Sequence, residues 1–388
     1  VTVPEGLPMA VTLCLAFSMR RLMRQNTLPR TMHACETMGA TTIICTDKTG
    51  TLTQNKMCVQ AALCIGHEVN NENNYFTNRL WEGIALNTTA NLNLNTQPQV
   101  IGNPTEGALL LWMKSHNQSY TAYRTEAEII ERLPFSTERK YMATLVKSND
   151  GKKILYVKGA PDVLLRYCKT TSQEHITYIN QLADYQNHAY RTLGLAYRVM
   201  QDDEDAWRDG ILCVDDITML GVVAIADPIR EDVPQAIRNC MRAGIRVMII
   251  TGDALGTARE IARQLGLWSN MDNKDVILQG SELEFLTDDE LTSRLQQVKI
   301  VSRARPNDKE RIVRLLRQMG HVVAVTGDGT NDAPALNAAN IGLSMGDGTA
   351  VAKEASDMTI MDNSFTTISN AVIWGRSLYK NIQRFILF

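Results

Sequence analysis

The chain of 388 residues has no field of one charge sign: 40 Lys and Arg stand against 42 Asp and Glu, for a net charge of -2. Without a basic face there is nothing to neutralise a phosphate backbone, which excludes nucleic acid as a main partner. The eight cysteines include no CxxC pair, and the six histidines form no HExxH motif. A disulfide framework and a structural zinc site are therefore disfavoured, and a reducing setting fits the composition better. There is no GxxxxGK[ST] loop, so the chemistry is not that of a P-loop nucleotide hydrolase. There is also no long hydrophobic run. The apolar stretch Leu7–Met19 and the terminal Phe385-Ile386-Leu387-Phe388 are each shorter than the ~20 residues a spanning helix requires.

What is present is a chain long enough for two or three domains, with a hydrophobic fraction of 44%. Three apolar runs share one ending: Thr42-Ile43-Ile44-Cys45 leads to Thr46-Asp47, Val247-Met248-Ile249-Ile250 to Thr251-Gly252-Asp253, and Val322-Val323-Ala324-Val325 to Thr326-Gly327-Asp328. Such runs suit strands buried on both faces of a parallel sheet. Amphipathic helices are expected over Arg230–Ala243 and Asp308–Met319, each stopped by a glycine. The alternation predicts a doubly wound α/β domain with its site beyond the carboxyl ends of the strands, where three aspartates stand.

Between the first strand and the other two the texture changes. An Asn-rich stretch (Asn70, Asn71, Asn73, Asn74, Asn78) reads as a surface loop, and Met142–Val146 and Ile154–Val157 read as antiparallel strands. An α+β domain inserted over residues 58–221 is expected, splitting the α/β domain into 26–57 and 222–365. The acidic run Asp202–Asp205 reads as a solvated loop and Thr287–Glu290 as a capping box. Residues 1–25 are expected to be a partial transmembrane helix and 366–388 a stalk and the start of the next one, with Arg20, Arg21 and Arg24 marking the cytoplasmic side.

Asp47-Lys48-Thr49-Gly50-Thr51 resembles the phosphorylation motif of the P-type ATPases. Thr251-Gly252-Asp253, Asp227-Pro228-Ile229-Arg230 and Gly327-Asp328-Gly329-Thr330-Asn331-Asp332 follow in that family's order. The resemblance covers essentially the whole chain and implies a haloacid-dehalogenase-like core in which Asp47 attacks ATP and becomes phosphorylated. A carboxylate is a competent nucleophile toward phosphorus, provided the charge it meets is compensated. Mg2+ suits that task, and Asp47, the Thr49 carbonyl and Asp328 offer the oxygen ligands it prefers. By resemblance, Lys309 and Lys48 supply further positive charge, and Thr251, Asp253, Asn331 and Asp332 orient the phosphoryl group and the metal shell. Gly50, Gly252 and Gly327 are expected to let the backbone approach closely.

The resemblance places the ATP pocket in the inserted domain. Phe135 would stack on the base, with Lys140, Lys158 and Gly159 nearby, and Thr105, Glu106, Arg191 and Leu193 would complete the pocket. Arg303 would help bridge the nucleotide to the phosphorylation domain. Around Pro4-Glu5-Gly6-Leu7-Pro8 the prolines break a helix ladder and free carbonyls beside a carboxylate, an oxygen site for a hard cation. By resemblance Glu5 and the carbonyls of Val1 and Val3 are ligands of the transported ion. Ala34–Gly39 looks most like the plasma-membrane-type calcium pumps, so Ca2+ is the expected cargo. The short inserted domain suggests a bacterial form. A monovalent-cation or proton pump is the alternative.

A soluble phosphatase with the same core would carry a second aspartate two positions after the nucleophile, where Thr49 stands. A non-catalytic nucleotide-binding module would not need the full acidic set. The implied protein is an integral membrane protein of the cell membrane, in contact with the lipid bilayer, with its catalytic domains in the cytoplasm. No TGES segment is present, so the actuator domain and remaining transmembrane parts are expected elsewhere in the polypeptide. Alone, the chain is expected not to transport.

Overall fold

The computed structural model describes residues 6–64, 75–93 and 99–387. Val1, Val3 and Glu5 lie outside the described residues, as do Asn70, Asn71, Asn73 and Asn74. Asn78, expected in a loop, sits on the helix Tyr75–Leu86, which buries Leu80, Trp81, Ile84, Ala85 and Leu86. The chain divides into two compact units, one formed by Val1–Asn55 and Ile229–Phe388, the other by Lys56–Pro228.

The first unit is built on an eight-stranded sheet. Its order is Thr27–Pro29, Met358–Ile360, Ile341–Met345, Val323–Gly327, Ile43–Thr46, Arg246–Ile250, Ile300–Ser302 and Ile277–Gln279. All described pairings are parallel except that of the edge strand Thr27–Pro29. The three apolar runs lie side by side at the centre, with Ile44 opposite both Val247 and Ala324.

Alternate side chains feed two cores. Ile44, Val247 and Ile249 pack with the helices Met32–Ala40, Val233–Arg242, Leu255–Gln264 and Phe365–Leu387. Ile43, Cys45, Met248 and Ile250 pack on the opposite face with Asp288–Leu295, Pro306–Gln318 and Ala333–Ala338. Full burial on both faces is why these strands are unbroken apolar runs and not alternating ones.

Helix Pro306–Gln318 starts two residues earlier than expected, with proline in its first turn where a missing N–H costs nothing. Helix Val233–Arg242 starts later than the expected Arg230. Thr287 forms the expected capping box with Glu290. No helix among the described residues is long and apolar enough to cross a membrane.

The second unit holds a six-stranded antiparallel sheet in the order Cys58–Leu63, Thr218–Ala226, Arg191–Met200, Lys153–Gly159, Tyr141–Lys147 and Glu128–Leu133. One face packs against Tyr75–Leu86 and Pro104–Ser115, and the other against Ser172–Asn187. Asp202–Asp205 lies in an exposed connection, where Glu204 pairs with Arg198 at 2.7 Å.

Candidate active site

Three central strands of the first unit end together and deliver Asp47, the Thr251–Asp253 loop and Asp328 to one edge. The ends are stitched together by Thr326, whose hydroxyl donates to Thr46 Oγ1 at 2.8 Å. Asp47 follows directly on its strand. Its Oδ1 accepts the backbone N–H of Lys48 at 2.8 Å, which fixes the carboxylate's rotamer and leaves Oδ2 toward Lys309.

Lys309 stands in the first turn of helix Pro306–Gln318, with its Nζ 3.1 Å from Asp47 Oδ2 and 2.7 Å from Asp332 Oδ1. The other oxygen of Asp332 accepts the N–H groups of Asp328 and Gly329. Asp332 therefore anchors both the lysine and the loop that carries Asp328. Lys48 pairs with Asp253 at 2.5 Å.

The carboxylates of Asp47, Asp328 and Asp332 can bring one oxygen each within 4.8 Å of one another. Burial raises the Asp47 carboxyl above its ordinary value, with Lys309 opposing and Asp332 adding to the rise. Burial, reinforced by Asp47 and Asp332, pushes Asp328 up to about 6. Burial opposes the charge on Lys309, but Asp47 and Asp332 outweigh it and hold the ammonium above its usual range. Counting Asp253, four carboxylates face two ammonium groups, so two negative charges stay uncompensated. Oxygen donors with a surplus of that size fit a divalent hard cation.

Asp47, Thr49, Thr251, Gly252, Asp253, Lys309, Asp328, Asn331 and Asp332 line one cleft of about 270 Å3, together with Ala304 and Pro306. Nine of the ten residues expected to act on the phosphoryl group or metal thus line one cleft; the tenth, Lys48, is not among the lining residues and reaches it only through its pair with Asp253. The glycines divide into two kinds. A Cβ on Gly50 would lie 2.2 Å from Asp328 Oδ2, and its φ of +72° is left-handed, so both space and backbone require glycine there. Gly327 is similarly closed, by Asp332. Gly252 faces open space, its nearest neighbour being the Ala304 carbonyl at 3.8 Å.

Arg303 is exposed and left-handed at φ +52°, and its N–H donates to the Asp253 carbonyl at 2.9 Å. Sequence reasoning assigned no role to Arg230. Its guanidinium donates to the carbonyls of Thr53 and Gly50 at 3.1 and 3.2 Å, bracing the loop after Asp47. The Asp-Pro-Ile-Arg motif was the signal that could have found it.

In the second unit Glu106 and Lys158 form a buried pair at 2.9 Å, 6% and 3% exposed. Glu106 also accepts from the Thr89 N–H and hydroxyl and the Ala90 N–H. Burial alone would raise its carboxyl, but Lys158 and Thr89 hold it down at about 2. Lys158 is therefore committed to a protein partner instead of presenting a free ammonium. Arg191 donates to Thr105 Oγ1 at 2.7 Å, and two residues on Leu193 is half-buried against the core. Phe135, 58% exposed, sits in the loop Pro134–Lys140 with its ring available to a ligand. Lys140 closes that loop with φ +60°, and its carbonyl accepts the Ala160 N–H at 2.9 Å. A Cβ on Gly159 would meet the same carbonyl at 2.5 Å, so the loop seats only on glycine.

Beside this central parallel sheet, with a carboxylate at the end of its middle strand and a lysine shared between two acids, residues 310–372 match the family model of haloacid dehalogenase-like hydrolases. Residues 76–232 match the model of the P-type ATPase cytoplasmic domain N.

Over its whole length the chain is 41% identical to the plasma membrane-type calcium-transporting ATPase 5 of Oryza sativa subsp. japonica, covering 38% of that protein. It is 38% identical to calcium-transporting ATPase 8 of Arabidopsis thaliana, again covering 38%, and 38% identical to calcium-transporting ATPase PAT1 of Dictyostelium discoideum, covering 36%. The chain belongs to the P-type ATPases. It spans less than two-fifths of the length of these curated relatives.

Proposed function

We propose that this chain performs the ATP-dependent phosphorylation of a cation-transporting P-type ATPase, that Asp47 is the residue phosphorylated, and that Ca2+ is the ion carried by the whole protein. The observation that carries the reading is Lys309 held 3.1 Å from Asp47 at the end of the central strand, beside Asp328 and Asp332. An Asp47 oxygen attacks the γ-phosphorus of ATP, the bond to the β-phosphate oxygen breaks, and ADP departs. Lys309 and Lys48 stand where negative charge gathers, and Asp332 and Asp253 keep them in place. Asp47, Asp328 and the Thr49 carbonyl would hold Mg2+, which when bound neutralises phosphate charge. Threonine at position 49 removes the carboxylate that a phosphatase places two positions after the nucleophile to drive hydrolysis, so the acyl phosphate persists long enough to be coupled to transport.

Phe135 supplies the stacking face for the base, in a pocket completed by Thr105, Glu106, Lys140, Lys158, Gly159, Arg191 and Leu193. Arg303 is a further nucleotide contact in this reading. Glu5 and the carbonyls of Val1 and Val3 contribute to the ion site, whose remaining ligands lie elsewhere in the protein of the cell membrane, because Ca2+ takes 6–8 oxygens. Names of relatives and the Ala34–Gly39 segment support calcium as cargo. Membrane vesicles holding the whole protein test it: ATP should drive accumulation of labelled Ca2+, and Glu5→Gln should weaken calcium dependence more than ATP dependence. ATP-driven movement of sodium, potassium or protons without calcium would replace the cargo and leave the chemistry.

A further inference from the structure

Helix Val233–Arg242 lacks the cap its sequence offers. Asp232 occupies the N-cap position, yet its side chain makes no bond to the first turn of its own helix. The carboxylate is turned away to another element. Its Oδ2 accepts the Ser364 hydroxyl at 2.5 Å and the Thr366 hydroxyl at 2.8 Å, at the start of helix Phe365–Leu387. A forgone cap is a cost to its helix, and a negative charge at the start of the other helix recovers part of it through the dipole. Two residues earlier, Arg230 grips the opposite side. Its backbone N–H donates to the Leu52 carbonyl at 3.0 Å and its guanidinium to the carbonyls of Gly50 and Thr53. Gly50 is in turn pressed against the Asp328 carboxylate.

The same helix start is tied from a third direction. Asp362 accepts the Thr367 hydroxyl at 2.7 Å and the Asn26 amide at 3.2 Å, just beyond helix Gly6–Met23. Arg230–Asp232 is thus a three-residue link with one end on the loop that follows Asp47 and the other on a junction of two long helices.

We propose that Arg230 and Asp232 are positioning residues that hold the loop after Asp47 in register with the start of helix Phe365–Leu387, so that a shift of that helix changes the readiness of Asp47 for phosphorylation. Neither residue touches the reacting atoms. The link acts because its two grips are short and share a backbone of three residues. Coupling of this kind requires an element that both sites bias, and here the segment is bonded to both.

The inference rests on the phosphorylation reading above, and its test separates the two. In membranes holding the whole protein, labelling of Asp47 from γ-labelled ATP is measured with and without Ca2+. Asp232→Asn weakens the carboxylate grip, and Ser364→Ala with Thr366→Val removes its partners without changing charge. Each should cut the ratio of the two labelling levels by about fivefold or more, while the ATP concentration for half-maximal labelling stays within about twofold. Combining all three changes should add little, as expected for one shared interaction.

Arg230→Lys, which keeps the charge but loses the fork to two carbonyls, should behave like Asp232→Asn. A merely structural role would dim labelling equally under both conditions. A preserved ratio in either the Asp232 or the Ser364/Thr366 variant, or losses that multiply on combination, overturns the inference alone. Failure of the unaltered protein to label Asp47 removes the phosphorylation reading and this inference with it.

Discussion

The Lys309 ammonium stands 3.1 Å from the Asp47 carboxylate, and the same nitrogen is 2.7 Å from Asp332. Lys309 is thus the counter-charge for two acids at once, Asp332 buried and Asp47 largely so. Lys309→Ala leaves both facing each other without it, which should destabilise the phosphorylation unit by about 3 kcal/mol, as expected for breaking a buried pair. Chemical denaturation would show this as a lower midpoint, and Asp47 labelling should fall by about 100-fold or more through lost charge stabilisation. An unchanged midpoint would mean that the lysine is not what holds the acids together.

Asp328 gives a pH signature. Its folded-state pKa of about 6 exceeds the ordinary value of 3.8. Between those values the folded protein keeps a proton that the unfolded chain has lost, so the Asp328 contribution to stability falls as pH rises through that window. Asp328→Asn should remove that slope and, after allowance for solvent screening of a partly exposed group, stabilise the protein at pH 7 by on the order of 1 kcal/mol. In the unaltered protein Mg2+ and the proton compete for the same oxygens, so Mg2+ affinity should rise as pH passes about 6. Stability and Mg2+ titrations at pH 5 and 7 check both.

Gly50 and Gly252 should fail in different ways. Gly50→Ala puts a methyl into Asp328 at a left-handed position and should lower stability by more than about 1 kcal/mol. Gly252→Ala meets no protein atom closer than 3.8 Å, so melting should stay within about 0.5 kcal/mol while phosphorylation should drop, because Gly252 lines the cleft that holds Asp47. Equal melting temperatures for both variants would contradict this division.

In the second unit, Phe135→Ala changes an exposed ring and should cost on the order of 1 kcal/mol of ATP affinity with little change in stability. Lys158→Ala strands the buried Glu106 carboxylate and should destabilise the unit by about 3 kcal/mol. Any loss of nucleotide binding in that variant therefore reports folding before it reports contact. Nucleotide titration alongside thermal melting separates the two effects. Wild-type ATP affinity in Phe135→Ala would move the base elsewhere.

The centre of the fold was legible because it is made of unbroken apolar runs that each lead into Thr and then Asp, a pattern that suits strands buried on both faces. The outer strands were not. Ile300–Ser302, Ile277–Gln279 and Met358–Ile360 are three residues each, too short for a period to register, and they exist because neighbouring strands offer an edge. The start of helix Val233–Arg242 was read too early because Asp232 bonds to Ser364, far away in sequence. The acids that the motifs named lie close together around Asp47 in the structure, because Asp47 and Asp328 directly follow their strands and Asp332 sits in the short turn after the second of them. Lys158 was legible as a motif residue, but its pairing with Glu106 depends on a helix seated on the sheet and cannot be read from spacing.

The central claim is that Asp47 is the nucleophile. The whole protein, incubated with γ-labelled ATP, Mg2+ and Ca2+ and then acid-quenched, should carry label that survives acid, is released by hydroxylamine, and maps by proteolysis to the peptide containing Asp47-Lys48-Thr49. In Asp47→Asn, which keeps the size of the side chain but not its charge, the label should vanish while ATP still binds. Label that persists in Asp47→Asn, or that resists hydroxylamine, would contradict the account.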